Sequence, residues 1–257
     1  MKRFTRLMYL VLISGLLLAL QAQDKKVIDK TFSLNKDGVV EIDTYKGSIK
    51  ITTWDKAEIK INVVIEADGW GRDDKDKVEA TEIIFNNSAS RVSMKTKYDE
   101  HSSFWGNSGS NPMVHYTITM PKTAELEVND YKSETNISGI NANIVFETYK
   151  GSVFIKDLVG SIDLETYKGD VEVEFSKLLK DSKFESYKGR IDVKLPADAK
   201  FSVDAELDDK GDFDSDFELK SNQRRRRDDE YIRGDVNGGG PFLEFTTYKG
   251  DFRILKK

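Results

Sequence analysis

Apolar and polar residues alternate at every second position along most of this chain. Ile49-Lys50-Ile51 is followed by Ile59-Lys60-Ile61-Asn62-Val63-Val64-Ile65. Val114 to Met120, Glu125 to Val128, Ile162 to Leu164, Val171 to Val173, Ile191 to Val193 and Phe242 to Phe245 continue the pattern. Strict alternation puts one side of a strand in the core and the other in water. Helical period is nearly absent. The one tempting stretch, Ser176-Lys177-Leu178-Leu179-Lys180, is too short to stand as a helix. The pattern predicts an all-β protein.

A second regularity lies over the first. Tyr-Lys-Gly occurs five times, at Tyr45, Tyr149, Tyr167, Tyr187 and Tyr248, and a decayed sixth copy, Asp130-Tyr131-Lys132-Ser133, precedes Tyr149. Aligned on their tyrosines, the coils repeat their apolar positions. Thr135, Ile137, Ile140, Ile144 and Phe146 after Tyr131 match Val153, Ile155, Leu158, Ile162 and Leu164 after Tyr149. The next turn begins alike with Val171 and Val173, then takes two extra residues before Phe184. Fixed-period self-similarity is the mark of units that bury their apolar faces only by stacking on neighbours. The fold expected is a single-stranded parallel β-solenoid (β-helix) with coils of about 18–20 residues, stacked like over like at about 4.8 Å. An antiparallel sandwich of hairpins is the alternative, although it does not require its strands to resemble one another. Gly47, Gly151, Gly169, Gly189 and Gly250 are the expected bends, since glycine enters the left-handed region without steric cost. Residues 67–112 and 205–240 break the beat and read as enlarged coils or loop insertions on one domain spanning 23–257.

Composition narrows the setting. Lys2, Arg3 and Arg6 precede an apolar run from Leu7 to Leu20, with Ala22 as a small residue before Gln23, so residues 1–22 are expected to be a cleaved signal peptide. The run is shorter than the ~20 residues that span a bilayer, and no other stretch is long enough, so no stable membrane span is expected in the mature form. Without cysteine there is no disulfide staple and no thiol chemistry. Basic residues number 40 against 45 acidic; removing Lys2, Arg3 and Arg6 leaves 37 against 45, a net charge near −8. That argues against nucleic acid as a partner. The expected location is the periplasm, cell surface or extracellular space.

These residues, taken in order, resemble the putative adhesin domains, exported bacterial proteins of unknown function made of β-strand repeats. The likeness is carried by Gly47-Ser48-Ile49-Lys50-Ile51 with Trp54, the Met120-Pro121-Lys122 step, the Gly-centred coils, the Val193-Lys194-Leu195-Pro196 step, and the close from Asn237-Gly238-Gly239-Gly240 through Phe242-Leu243-Glu244-Phe245 to Tyr248-Lys249-Gly250-Asp251. It covers nearly all of the mature chain. The resemblance implies an extracytoplasmic β-solenoid and brings no catalytic residues with it.

Residues two apart on a strand share a face. Glu147 and Tyr149, Glu165 and Tyr167, and Glu185 and Tyr187 therefore point outward together, with Thr148, Thr166 and Ser186 turned inward. Stacking should produce ladders of Tyr131, Tyr149, Tyr167 and Tyr187 beside Glu147, Glu165 and Glu185, with Lys150, Lys168 and Lys188 at the corner. Such a strip either stabilises the stack or offers a contact surface for a glycan or a protein. Other chemistry is thinly represented. His101 and His115 lie in different segments without a ligand-spaced partner, so no metal is expected. Asp212, Asp214 and Asp216 alternate on one strand face, but Phe217 and Gln223 stand where a calcium loop needs Gly and Glu. Arg224 to Arg227, balanced by Asp228, Asp229 and Glu230, reads as a solvated loop. No nucleophile elbow, phosphate-binding loop or dinucleotide fingerprint occurs. No cofactor is expected. The reading is a non-enzymatic exported scaffold; a polysaccharide-active β-helix enzyme and a purely structural envelope element are the alternatives. Exposed solenoid ends would leave oligomerisation possible.

Overall fold

The computed structural model describes residues 25–69, 73–98, 110–208, 211–226 and 229–257. The predicted signal peptide at 1–22 and His101 lie outside them. The described chain is all-β apart from one short helix. Its strands belong to one hydrogen-bonded sheet of 18 strands.

The repeats define the middle of the molecule. Three long strands, β2 (Val39–Trp54), β7 (Glu125–Ser138) and β9 (Ser152–Lys168), run through two pairing ladders. In the first ladder, β2 pairs with β7, then comes β8 (Asn143–Thr148), the second half of β9, β11 (Ser182–Lys188) and β17 (Phe242–Thr247), all parallel. In the second, residues 47–51 of β2, 133–137 of β7 and 152–155 of β9 are followed by β10 (Val171–Leu178), β12 (Arg190–Leu195) and β18 (Asp251–Lys256), again parallel. The registers match the sequence alignment. Thr135 faces Val153, Ile137 faces Ile155, Ile144 faces Ile162 and Phe146 faces Leu164. Each of these side chains is buried, so identical positions form continuous columns in one core. The two extra residues of the turn after Tyr167 fall between β10 and β11: Leu178 faces Gly160, 18 positions back, whereas Lys183 faces Asp163, 20 positions back. Ser176 to Leu178 is strand.

The sheet is mixed, which corrects the expectation of purely parallel pairing. Antiparallel partners flank the repeats on both sides. β1 (Lys25–Ser33) pairs with β3 (Glu58–Glu66), and β3 with β6 (Met113–Pro121), which lies parallel to β2. β4 (Glu82–Asn87) pairs antiparallel with β5 (Arg91–Lys97), which also lies against β2. Beyond β17, β13 (Phe201–Leu207) pairs antiparallel with β16 (Asp229–Val236), and β16 with β15 (Lys220–Arg226). β14 (Asp212–Ser215) closes the second ladder against β18. Residues 67–112 and 205–240 are thus not merely inserted loops: they supply β4, β5 and α1 (Asp73–Ala80) near one end, and β14 to β16 at the other.

Stacking order departs from chain order as a result. β17 and β18 sit between β11–β12 on one side and β13–β14 on the other, so the last coil in sequence is an interior coil in space.

Candidate functional site

The corner where Tyr-Lys-Gly turns the chain from one ladder to the other gathers the repeated polar residues. Six tyrosines stack in a single column in the order Tyr45, Tyr131, Tyr149, Tyr167, Tyr187 and Tyr248. Their ring centroids are 4.6, 4.9, 4.6, 4.7 and 5.0 Å apart, and no adjacent pair is tilted by more than 15°. Tyr98 closes the column edge-on against Tyr45 at 6.1 Å. The alignment singles out Tyr131 to Tyr187 and does not place Tyr45 and Tyr248 at the ladder's ends. Their Tyr-Lys-Gly signature is the available signal, hidden by out-of-order stacking.

Stacking has a consequence for recognition. Each interior ring has both faces covered by its neighbours, so solvent meets ring edges and hydroxyls. The rings are half-buried to exposed: Tyr167 retains 41% of its accessible surface and Tyr187 40%. Sugar stacking on open aromatic faces, which the sequence left open, is not available inside the column.

Beneath the rings runs a buried polar column of Thr44, Asp130, Thr148, Thr166, Ser186 and Thr247. Two of its hydroxyls, on Thr148 and Thr247, brace the turn, while those of Thr166 and Ser186 have no hydrogen-bond partner among the described residues. The Gly151 N–H donates to Thr148 Oγ1 at 3.2 Å and the Gly250 N–H to Thr247 Oγ1 at 2.6 Å. Thr44 bonds Thr96, which in turn bonds the hydroxyl of buried Tyr116. The decayed repeat carries Asp130 in this column. Its carboxylate accepts from the Ser133 N–H, the Ser133 hydroxyl and the Thr148 hydroxyl at 2.7, 2.6 and 3.1 Å. Burial nevertheless pushes its pKa up, with these hydrogen bonds pulling the other way.

The glycines are required for two different reasons. Gly47 and Gly189 have φ of 134°, which L side chains rarely adopt. Gly151, Gly169 and Gly250 are not left-handed, which corrects the single explanation given to all five bends. A Cβ on Gly169 would stand 2.0 Å from the Gly151 carbonyl oxygen, and one on Gly151 would stand 2.3 Å from that of Ser133. The neighbouring coil's backbone is close at this corner, and a side chain at Gly151 or Gly169 has no room.

Charge lines both sides of the rings. Glu147 stacks on Glu165 and Glu165 on Glu185; Lys168 stacks on Lys188, and Lys46 on Lys132. Like charges about one strand spacing apart repel by about 1 kcal/mol in bulk water, less in salt. The two sides resolve this differently. Glu185 is paired with Lys183. Lys46 is buried and bound to Asp68 at 2.7 Å, while Lys249 lies over the Tyr248 ring. Lys132, Lys150, Lys168 and Lys188 are exposed, and none forms an ion pair among the described residues.

Other expected chemistry is dispersed. His115 bonds Ser48 through Nδ1 and Glu66 through Nε2, at 2.8 and 3.1 Å. No group of three metal-ligating residues comes together among the described residues. The carboxylate of Asp216 accepts the Lys256 N–H, and β14 carries Asp212 and Asp214 at a sheet edge. Arg224 to Arg226 lie on β15, not in a loop; Arg227 and Asp228 are outside the described residues. A shallow recess of about 270 Å³ opens between Asn143, Asp163, Asp181, Ser182, Lys183 and Glu244. No helix among the described residues is long and apolar enough to cross a membrane.

Fold and corner together define a repeat-built β protein with one columnar polar edge. The chain belongs to the Toastrack DUF4097 family, a domain family of unknown function, whose model matches residues 24–254. Among solved structures it is similar to a putative cell adhesion protein from Clostridium sporogenes, at 12% identity and a TM-score of 0.51, covering 90% of this chain and all of that one. It is also similar to a putative adhesin from Bacteroides fragilis, at 13% identity and a TM-score of 0.41, covering 90% of this chain and 97% of that one. No curated protein sequence matches it.

Proposed function

We propose that this protein is an exported, non-enzymatic interaction scaffold of the cell envelope, a solenoid-like stack of short coils that engages its partner along the tyrosine-lysine corner. The observation that carries the reading is the continuous column of six tyrosines with exposed edges, flanked by lysines that have no carboxylate partner among the described residues. A column that only stabilised the stack would not need its hydroxyls at the surface or cations beside them. The fold shared with a protein named for cell adhesion supports the same reading, as does the signal-peptide pattern.

A purely structural role is the second reading, and the mutual covering of ring faces favours it. Changing Tyr149 and Tyr167 together to Phe separates the two, because phenylalanine keeps the stack and removes the hydroxyls. The interaction reading predicts weakened retention of the purified protein on cells or cell-wall material, with an unchanged unfolding midpoint. Full retention by this variant, with Tyr149→Ala plus Tyr167→Ala losing stability alone, would leave only the structural role. Release of oligosaccharide products from a polyuronate, abolished by Asp163→Asn or Glu244→Gln, would replace both readings with an enzyme.

A further inference from the structure

The lysine column narrows the partner's chemistry, an inference that rests on the interaction reading above. We infer that the corner binds a linear anionic glycan lying along the stack axis, with Lys132, Lys150, Lys168 and Lys188 meeting successive acidic groups and the tyrosine hydroxyls bonding the chain between them.

Four features carry it. The four lysines occupy one position in four consecutive coils whose rings stack at 4.6–4.9 Å, with Lys168 in register with Lys188 and Lys150 lying over the Tyr149 ring. They have no carboxylate partner among the described residues, whereas Lys46, at the equivalent position of the neighbouring coil, is held by Asp68. Like charges held in a row without counter-ions are unfavourable, and a multivalent anion relieves all of them at once. Finally, the hydroxyls lie in the adjacent column, where they can donate to and accept from ring oxygens and hydroxyls of a sugar chain.

The geometry also selects among anions. A planar acidic membrane would have to meet the glutamates on the other side of the rings as well, and Glu147 and Glu165 would repel it. A single-stranded nucleic acid gains affinity by stacking bases on open aromatic faces. Here the interior faces are taken by the rings themselves. A polymer one chain wide fits a line of cations one residue wide.

The test measures binding of the full mature chain to polygalacturonate and to dextran sulfate, which separate carboxylate from sulfate chemistry, with neutral dextran as control. Vesicles of anionic phospholipid and a single-stranded oligonucleotide complete the panel. The expected result is salt-sensitive binding to at least one acidic glycan and none to dextran. Changing the four column lysines to Gln should weaken it at least tenfold and flatten its salt dependence. Lys60→Gln with Lys156→Gln, on the other ladder, should leave it unchanged. No acidic-glycan binding at low salt, equal loss in the two lysine variants, or tighter binding to vesicles or the oligonucleotide would overturn the inference. Those outcomes leave the scaffold reading standing if the Tyr149→Phe, Tyr167→Phe variant still loses retention on cells.

Discussion

At the scale of single residues, the corner is governed by distance more than by torsion. Gly169 shows it best: a side chain there would collide with the backbone of the coil below. Gly169→Ala should therefore destabilise by about 1–3 kcal/mol, as overpacking of a rigid neighbour does, read as a lower urea midpoint. Gly238 is the contrast. Its φ is 96° and nothing lies within 4 Å of where a Cβ would stand, so Gly238→Ala should carry only conformational strain, about 1–2 kcal/mol. A neutral Gly169→Ala would mean that the coils are less tightly apposed at the corner. Asp130 makes a second case. Its carboxyl is harder to ionise folded than unfolded, so the folded state holds the proton more tightly. Its ionisation then weakens folding above the folded pKa, and the penalty fades as pH falls through that value toward the unfolded one. Asp130→Thr restores the residue type of Thr148 and Thr247, whose hydroxyls already accept the equivalent turn N–H. Relative to the parent it should be stabilised at neutral pH, with the difference shrinking in acid. Destabilisation of equal size at every pH would show that the hydrogen bonds to Asp130 outweigh its desolvation. None of this is legible in the sequence, because alternation reports which side chains turn inward and not how close two backbones come.

At the scale of elements, alternation found the strands and the repeat found their registers. Columns such as Ile144 over Ile162 and Phe146 over Leu164 follow from the fact that a one-residue slip would turn every side chain to the wrong face. The helix α1 escaped because it has one deeply buried apolar residue, Val78, and so no amphipathic period. Lys26 holds its end instead, donating to the carbonyls of Glu79 and Thr81. The antiparallel flanks escaped for another reason: a strand's alternation is the same whichever direction its partner runs. The outer strand β15 carries a prediction of its own. Lying outside β16, with Lys220 and Arg224 to Arg226 in its sequence, it has the charge that keeps an outer strand from pairing with another molecule. Arg224, Arg225 and Arg226 changed together to Thr should promote concentration-dependent association, visible by light scattering. A variant that stays monomeric would deny the strand that role.

At the scale of the whole molecule, the chain order and the stacking order differ. The C-terminal coil is packed on both sides, with Phe245 between Phe184 and the β13 strand and Phe252 beside it. Chain termini are ordinarily dispensable. Truncation after Pro241 should here abolish cooperative unfolding, because it removes an interior layer of the core. The same displacement explains why the full tyrosine column could not be assembled from spacing: an 18-residue beat joins Tyr131 to Tyr149 and Tyr149 to Tyr167, but nothing local says that Tyr248 returns to Tyr187 or that Tyr45 skips forward to Tyr131. Long-range burial decides those contacts, and they turn four rings into six.

The cysteine-free chain allows that arrangement to be tested without background. Glu185 and Thr246 face each other across the β11–β17 pair, and neighbouring strands about 4.8 Å apart lie within the span a disulfide closes. In the variant Glu185→Cys with Thr246→Cys, mild oxidation should close an intramolecular bond rapidly, giving a faster-migrating species that keeps the parent's circular dichroism. Free thiols after oxidation, or cross-linking only between molecules, would mean that the last coil does not lie on the Tyr187 coil and that the continuous corner does not exist.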